Sequence, residues 1–152
     1  MKNLLQTLCG LFLVVFYSSC MNLGDNRVDV LIVGGGASGV TSGIQAARMG
    51  ANTLILEETT WLGGMLTSAG VSAVDGNYRL PAGLWGEFKN RLSDYYGGLD
   101  SLKTGWVSNV LFEPSVGNKI FHEMVSAEKN LKVWKQTRLE EVKRVGDEWI
   151  AK

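Results

Sequence analysis

A β-branched run that ends in three glycines and opens into a helix of small residues leaves few folds open to this chain. Residues 28–33 (VDVLIV) have the profile of a strand buried on both faces of a parallel sheet. They lead into Gly34-Gly35-Gly36-Ala37-Ser38-Gly39. The spacing then predicts a helix over 38–49. Val40, Ile44 and Ala47 share one face, Ser42, Gly43 and Ala46 are small enough for close contact with a sheet, and Gly50 is the stop. A second buried strand is expected at 52–56 (NTLIL), with Glu57 at its C-terminal edge. This is a β–α–β unit, and it calls for an α/β fold of Rossmann-like type built on a parallel sheet.

The glycines fall as G-x-G-x-x-G at Gly34, Gly36 and Gly39, and each position has its own physical demand. The first allows the tight turn out of the strand, the second lets backbone approach a pyrophosphate, and the third lets helix lie close on strand. Unpaired N–H groups and about half a positive charge at the helix N-terminus favour the phosphates there. Eighteen residues separate Gly39 from Glu57, close to the spacing of about 20 for a ribose-binding acid. A carboxylate accepts both ribose hydroxyls and repels a 2′-phosphate, which disfavours NADP. Glu58 takes that place if the strand runs one residue further. The residues expected to hold a dinucleotide are therefore Gly34, Gly35, Gly36, Ala37, Ser38, Gly39 and Glu57 or Glu58.

Composition narrows the partners. Fifteen basic and fifteen acidic residues cancel, so no nucleic-acid partner and no anionic surface is called for. Lys2, the mostly apolar stretch 4–16 and Ser18-Ser19-Cys20 read as a lipoprotein-type signal over residues 1–20, with Cys20 the acylation site. The apolar stretch is short for a bilayer span. The expectation is an exported protein of the bacterial cell envelope, held at the membrane by its lipid alone, with a polar tether at 21–27. Only Cys9 and Cys20 are cysteines, so the remainder offers no disulfide, catalytic thiol or cysteine-bound metal, and no metal site is expected.

Downstream, residues 59–78 have no clear period and predict an ordered loop. Helices are expected at 82–96 and 114–128. In the first, Leu84, Phe88, Leu92 and Tyr95 point inward and Glu87, Lys89, Arg91 and Asp94 point away. In the second, Pro114 sits early and Val116, Ile120, Phe121 and Met124 form the apolar stripe. Strands follow at 131–136 and 138–145, then a turn at Gly146-Asp147 and a third run at 148–151, giving a β-hairpin added to the sheet. Trp85, Trp106, Trp134 and Trp149 are expected in the core. His122, without a partner acid or nucleophile, is read as a partly exposed or capped helix residue, and Asp75-Gly76 as a turn.

A second glycine pair follows the acid, in Trp61-Leu62-Gly63-Gly64-Met65-Leu66-Thr67. It resembles the second glycine signature of the glutathione-reductase-like flavoproteins, with Trp61 where an arginine is usual. The stretches LGGMLTSAGVSAVDG (62–76), LPAGLWGEF (80–88) and TGWVSNVLFEPSVGNKIF (104–121) look like the FAD-dependent oxidoreductase family, distantly similar to the flavin subunit of heterodisulfide reductase. The resemblance runs over 28–152. It implies FAD as cofactor and a partial FAD-binding domain that continues beyond Lys152. It implies flavin-mediated hydride or electron transfer between a small-molecule or sugar-related substrate and a second electron acceptor. By the same resemblance Gly63, Gly64 and Met65 lie along the cofactor, residues 132–145 form a strand pair beside the adenine, and the Leu139 backbone contacts that ring. Any iron–sulfur cluster would lie beyond Lys152, and no residue of this chain is assigned to catalysis. Two other readings stay open: a truncated, catalytically inactive nucleotide-binding fragment, or an envelope carbohydrate-processing protein whose Rossmann-like unit is structural.

Overall fold

The computed structural model describes residues 26–76, 78–105 and 108–152. The expected signal segment 1–20 with Cys20, and Trp106, lie outside the described residues. Strand β1 (Val30–Val33) is followed by helix α1 (Ala37–Arg48) and strand β2 (Thr53–Glu57). A 3-10 turn at Gly64–Leu66 leads to α2 (Gly83–Tyr96), a second 3-10 turn at Leu99–Leu102, and α3 (Pro114–Ser126). Strand β3 (Leu131–Lys135) precedes the hairpin of β4 (Val142–Val145) and β5 (Glu148–Ala151).

The sheet runs β1-β2-β3, all parallel, with Ile32 opposite Ile55 and Ile55 opposite Val133. Helix α1 lies on all three strands and meets α3, which in turn packs on α2 and β3. Its approach depends on small residues: a Cβ at Gly43 would sit 2.8 Å from Ile55 Cδ1. Ile55, buried completely, faces this helical layer, where Val40, Ile44, Leu92, Ile120 and Met124 are buried with it. The aromatic centre is Phe88, stacked on Phe121 at 4.5 Å and edge-on to Phe112 at 5.5 Å. Tyr96 closes the α2–α3 corner. Its hydroxyl donates to the Glu113 carboxylate and accepts the Glu113 N–H, and burial, then the hydrogen bond to Glu113, pushes the phenol up to about 12.

Several expectations need correction. The strand expected over 138–145 is confined to Val142–Val145, and it pairs antiparallel with β5, not with β3. Residues 132–145 are thus not a strand pair: β3 pairs with β2, and β4 pairs with β5. Trp134 and Trp149 are exposed rather than core. Leu131 and Val133 alternate toward the helices, which turns Trp134 to the other sheet face, and every residue of the hairpin strands is exposed. Lys89 does not point away. It is buried, and its Nζ donates to the carbonyls of Tyr78 at 2.7 Å and Leu80 at 2.9 Å, which tie the preceding loop to α2.

Candidate functional site

The site is assembled at the C-terminal ends of β1 and β2. Gly34 leaves β1 with φ +101 and donates its N–H to the Leu56 carbonyl at 2.8 Å, so the chain turns sharply at the sheet edge. Gly39 is held tight: a Cβ there would lie 2.0 Å from the Gly34 carbonyl oxygen. Gly35 is crowded as well, 2.7 Å from Leu62 Cδ2 by the same measure. Gly36 differs from all three. Its φ of −64 suits any residue, and a Cβ on it would meet nothing within 4 Å. Neither backbone conformation nor packing accounts for glycine at 36. The space outside it is open at the N-terminus of α1, which has no side-chain cap and no acid in its first turn. Ala37 is half-buried there and Ser38 exposed.

Glu57 ends β2 and turns its carboxylate back to the loop. Oε2 accepts the Gly35 N–H at 2.7 Å and Oε1 the Thr59 N–H at 2.7 Å. An ionised carboxylate has about four acceptor positions, so both oxygens keep capacity for hydroxyl donors. Burial works to raise its pKa, but the hydrogen bonds from Thr59 and Gly35 outweigh it and hold the pKa below the ordinary value. A carboxylate depressed in the folded state stabilises the fold above its unfolded pKa and loses that contribution as pH falls through the folded value. The FAD-free wild type should therefore lose stability relative to Glu57→Gln as pH drops below 4.5; parallel melting curves for the two proteins across that range would rule the brace out. Glu58 is exposed and lies 3.8 Å from Arg138, away from the glycine loop. Leu139 is half-buried in the segment after β3. That segment is drawn beside the acid by the Thr137 N–H, which donates to the Glu57 carbonyl at 3.0 Å.

The second glycine pair lies against the first loop. The Gly63 N–H donates to the Gly35 carbonyl at 2.8 Å, Gly36 and Gly63 form a parallel bridge, and a Cβ at Gly64 would be 3.0 Å from Gly36 Cα. Gly63 has φ +104 and backs onto the Phe121 ring, 2.6 Å from where its Cβ would be. Met65 is largely exposed beside the pair and Trp61 half-buried.

Sequence reasoning missed the supports of this second segment. Thr67 is buried and donates to the Leu62 carbonyl at 2.6 Å, while Asn118 Oδ1 on α3 accepts the Leu62 N–H at 2.8 Å. His122 lies one turn on, against the Thr60 backbone. Burial, then the nearby Lys135 charge, lowers its pKa, so the imidazole favours its neutral form. The only signal in the sequence is weak, a polar residue flanking the apolar stripe of α3.

A parallel sheet with glycine loop, helix N-terminus and carboxylate converging at its C-terminal edge defines a Rossmann-type dinucleotide-binding protein. Within that class, the model of the FAD dependent oxidoreductase family matches residues 29–152, and the chain belongs to that family, whose cofactor is FAD. No curated protein matches the chain significantly in sequence. Among solved structures, AlpK is similar with TM-score 0.55 and 14% identity over 82% of this chain and 27% of its own. CabE, an aromatic hydroxylase from angucycline biosynthesis, gives 0.54 and 14% over 83% of this chain and 27% of its own. GidA from Aquifex aeolicus gives 0.54 and 19% over 86% of this chain and 23% of its own. This chain thus spans about a quarter of the length of each. At these identities the likeness is one of fold.

Proposed function

We propose that residues 34–39, Glu57 and Gly63–Gly64 form the ADP-side seat of FAD in an oxidoreductase that passes a hydride or electrons between a small-molecule substrate and a second acceptor. The observation that carries it is Gly36: a glycine that the fold itself does not require, facing open space between a braced carboxylate and a second glycine loop. That cradle fits a pyrophosphate, with backbone N–H groups of the α1 N-terminus as donors and Glu57 receiving the ribose hydroxyls. In this reading the Leu139 backbone contacts the adenine and Met65 lines the side toward the flavin, which the Thr137 N–H bond to the Glu57 carbonyl and the place of Met65 beside Gly63–Gly64 support. Bound flavin supplies the redox chemistry. The residues of this chain bind and orient it, and none is assigned to proton transfer.

The partners follow from the same reading. We propose that the exposed apolar side chains Val33, Trp134, Val142 and Trp149 are where the remainder of a larger flavoprotein packs and brings its substrate wall. We further propose export and lipid anchoring through Cys20 in a bacterial envelope, which a lipid mass on the mature N-terminus would establish. Titrating the purified protein with FAD and with NAD tests the site. Saturable FAD binding with flavin absorption bands is expected, and preference for NAD, or no flavin uptake, would overturn it.

A further inference from the structure

Helix α3 reaches the cofactor loops through one face. Asn118, Phe121 and His122 stand at i, i+3 and i+4, so their side chains stack on one side of the helix. They meet consecutive parts of a single segment: His122 the Thr60 backbone, Asn118 the Leu62 N–H at 2.8 Å, and Phe121 the side of Gly63 where a Cβ would stand 2.6 Å from its ring. Leu62 is fully buried, so its N–H depends on a protein acceptor. From Leu62 the connection continues. The next residue, Gly63, donates to the Gly35 carbonyl at 2.8 Å, and Gly35 donates to the Glu57 carboxylate at 2.7 Å.

We propose that Asn118 is a positioning residue for FAD: by fixing Leu62 it sets the second glycine loop at the distance from Gly35–Gly36 that the bound cofactor requires. The proposal rests on the cofactor seat described above. Without the Asn118 carbonyl, the Leu62 N–H loses its partner and the segment drifts from the first loop. Gly63 then no longer holds Gly35 in register with Glu57. An acceptor at 118 is what matters, not the amide as such, because Oδ1 alone makes the contact.

The test compares Asn118→Ala with Asn118→Asp in the full chain. Alanine is the best helix former, so the substitution favours α3 itself. Aspartate keeps an oxygen acceptor at the same reach. Asn118→Ala should bind FAD about tenfold more weakly, a loss of about 1.4 kcal/mol, measured well below its melting temperature. In the FAD-free protein the Leu62 and Gly63 amides should exchange with solvent about tenfold faster, while those of Ile44 and Ile55 are unchanged. Asn118→Asp should stay within about threefold of wild type in both readouts at neutral pH, by the same affinity scale. An asparagine that only stabilised the fold would lower the melting temperature and leave the FAD affinity of folded molecules alone. That result, or equal loss in the aspartate variant, overturns the proposal. Failure of the wild type to bind FAD would instead refute the cofactor seat, while the exchange rates still report on the clasp.

Discussion

Gly36→Ala is expected to weaken FAD binding by at least about tenfold, or about 1.4 kcal/mol, without a matching loss of stability. The added methyl meets no atom of the chain within 4 Å and the backbone there is already in a common region. Two small effects on stability oppose each other. Alanine is a poorer helix N-cap than glycine, yet it restricts the unfolded chain more. The FAD-free melting temperature should therefore shift by only a few degrees. A ligand backed onto this position loses its closest backbone contact, because the methyl occupies the space a pyrophosphate needs. Flavin fluorescence titration beside a thermal melt separates the two quantities. Unchanged affinity would remove the main support for the cofactor seat.

Gly39→Ala should fail in the opposite way. Its methyl would stand 2.0 Å from the Gly34 carbonyl oxygen and 3.4 Å from Ile32 Cγ2. Backbone on one side and a buried strand on the other cannot give way as a flexible side chain does. Relief requires α1 to lift from β1, which opens the contact that Val40 and Ile44 make with the core. Overpacking typically costs about 1–3 kcal/mol, and the upper end applies where backbone stands in the way, a large share of a typical total of about 5–15 kcal/mol. Denaturant melts of the FAD-free protein should show a lower midpoint or no cooperative transition. A stable Gly39→Ala protein that merely loses FAD would mean the helix–strand contact is looser than described.

The contrast between these glycines marks how far the sequence could be read. The motif assigned three different demands to Gly34, Gly36 and Gly39, and the backbone angle at Gly34 and the contact at Gly39 match the turn and the close packing. Glu57 was singled out by spacing and by its place at a strand end. Which of Glu57 and Glu58 turns to the loop depended on where β2 stops, and a residue shifted by one along a strand points to the opposite face. Trp134 and Trp149 depart from the expected core placement because hydrophobicity reports a preference for burial, not the presence of a partner surface, whereas Trp85 does pack against the core. Lys89 was misjudged because helical position put it outward, while two loop carbonyls drew it in.

By itself the sequence determined the β–α–β unit, the glycine loop at its turn and the acid that follows, because these depend on near neighbours: periodicity, conformational freedom at glycine and local spacing. Only the tertiary structure decided that the two glycine segments lie against each other, and that α3 holds the second through Asn118 and Phe121. Leu62 and Asn118 are separated by 56 residues. Their contact exists because α3 packs beside α1 and over β3, an outcome of how the whole core closes rather than of any pattern near either residue.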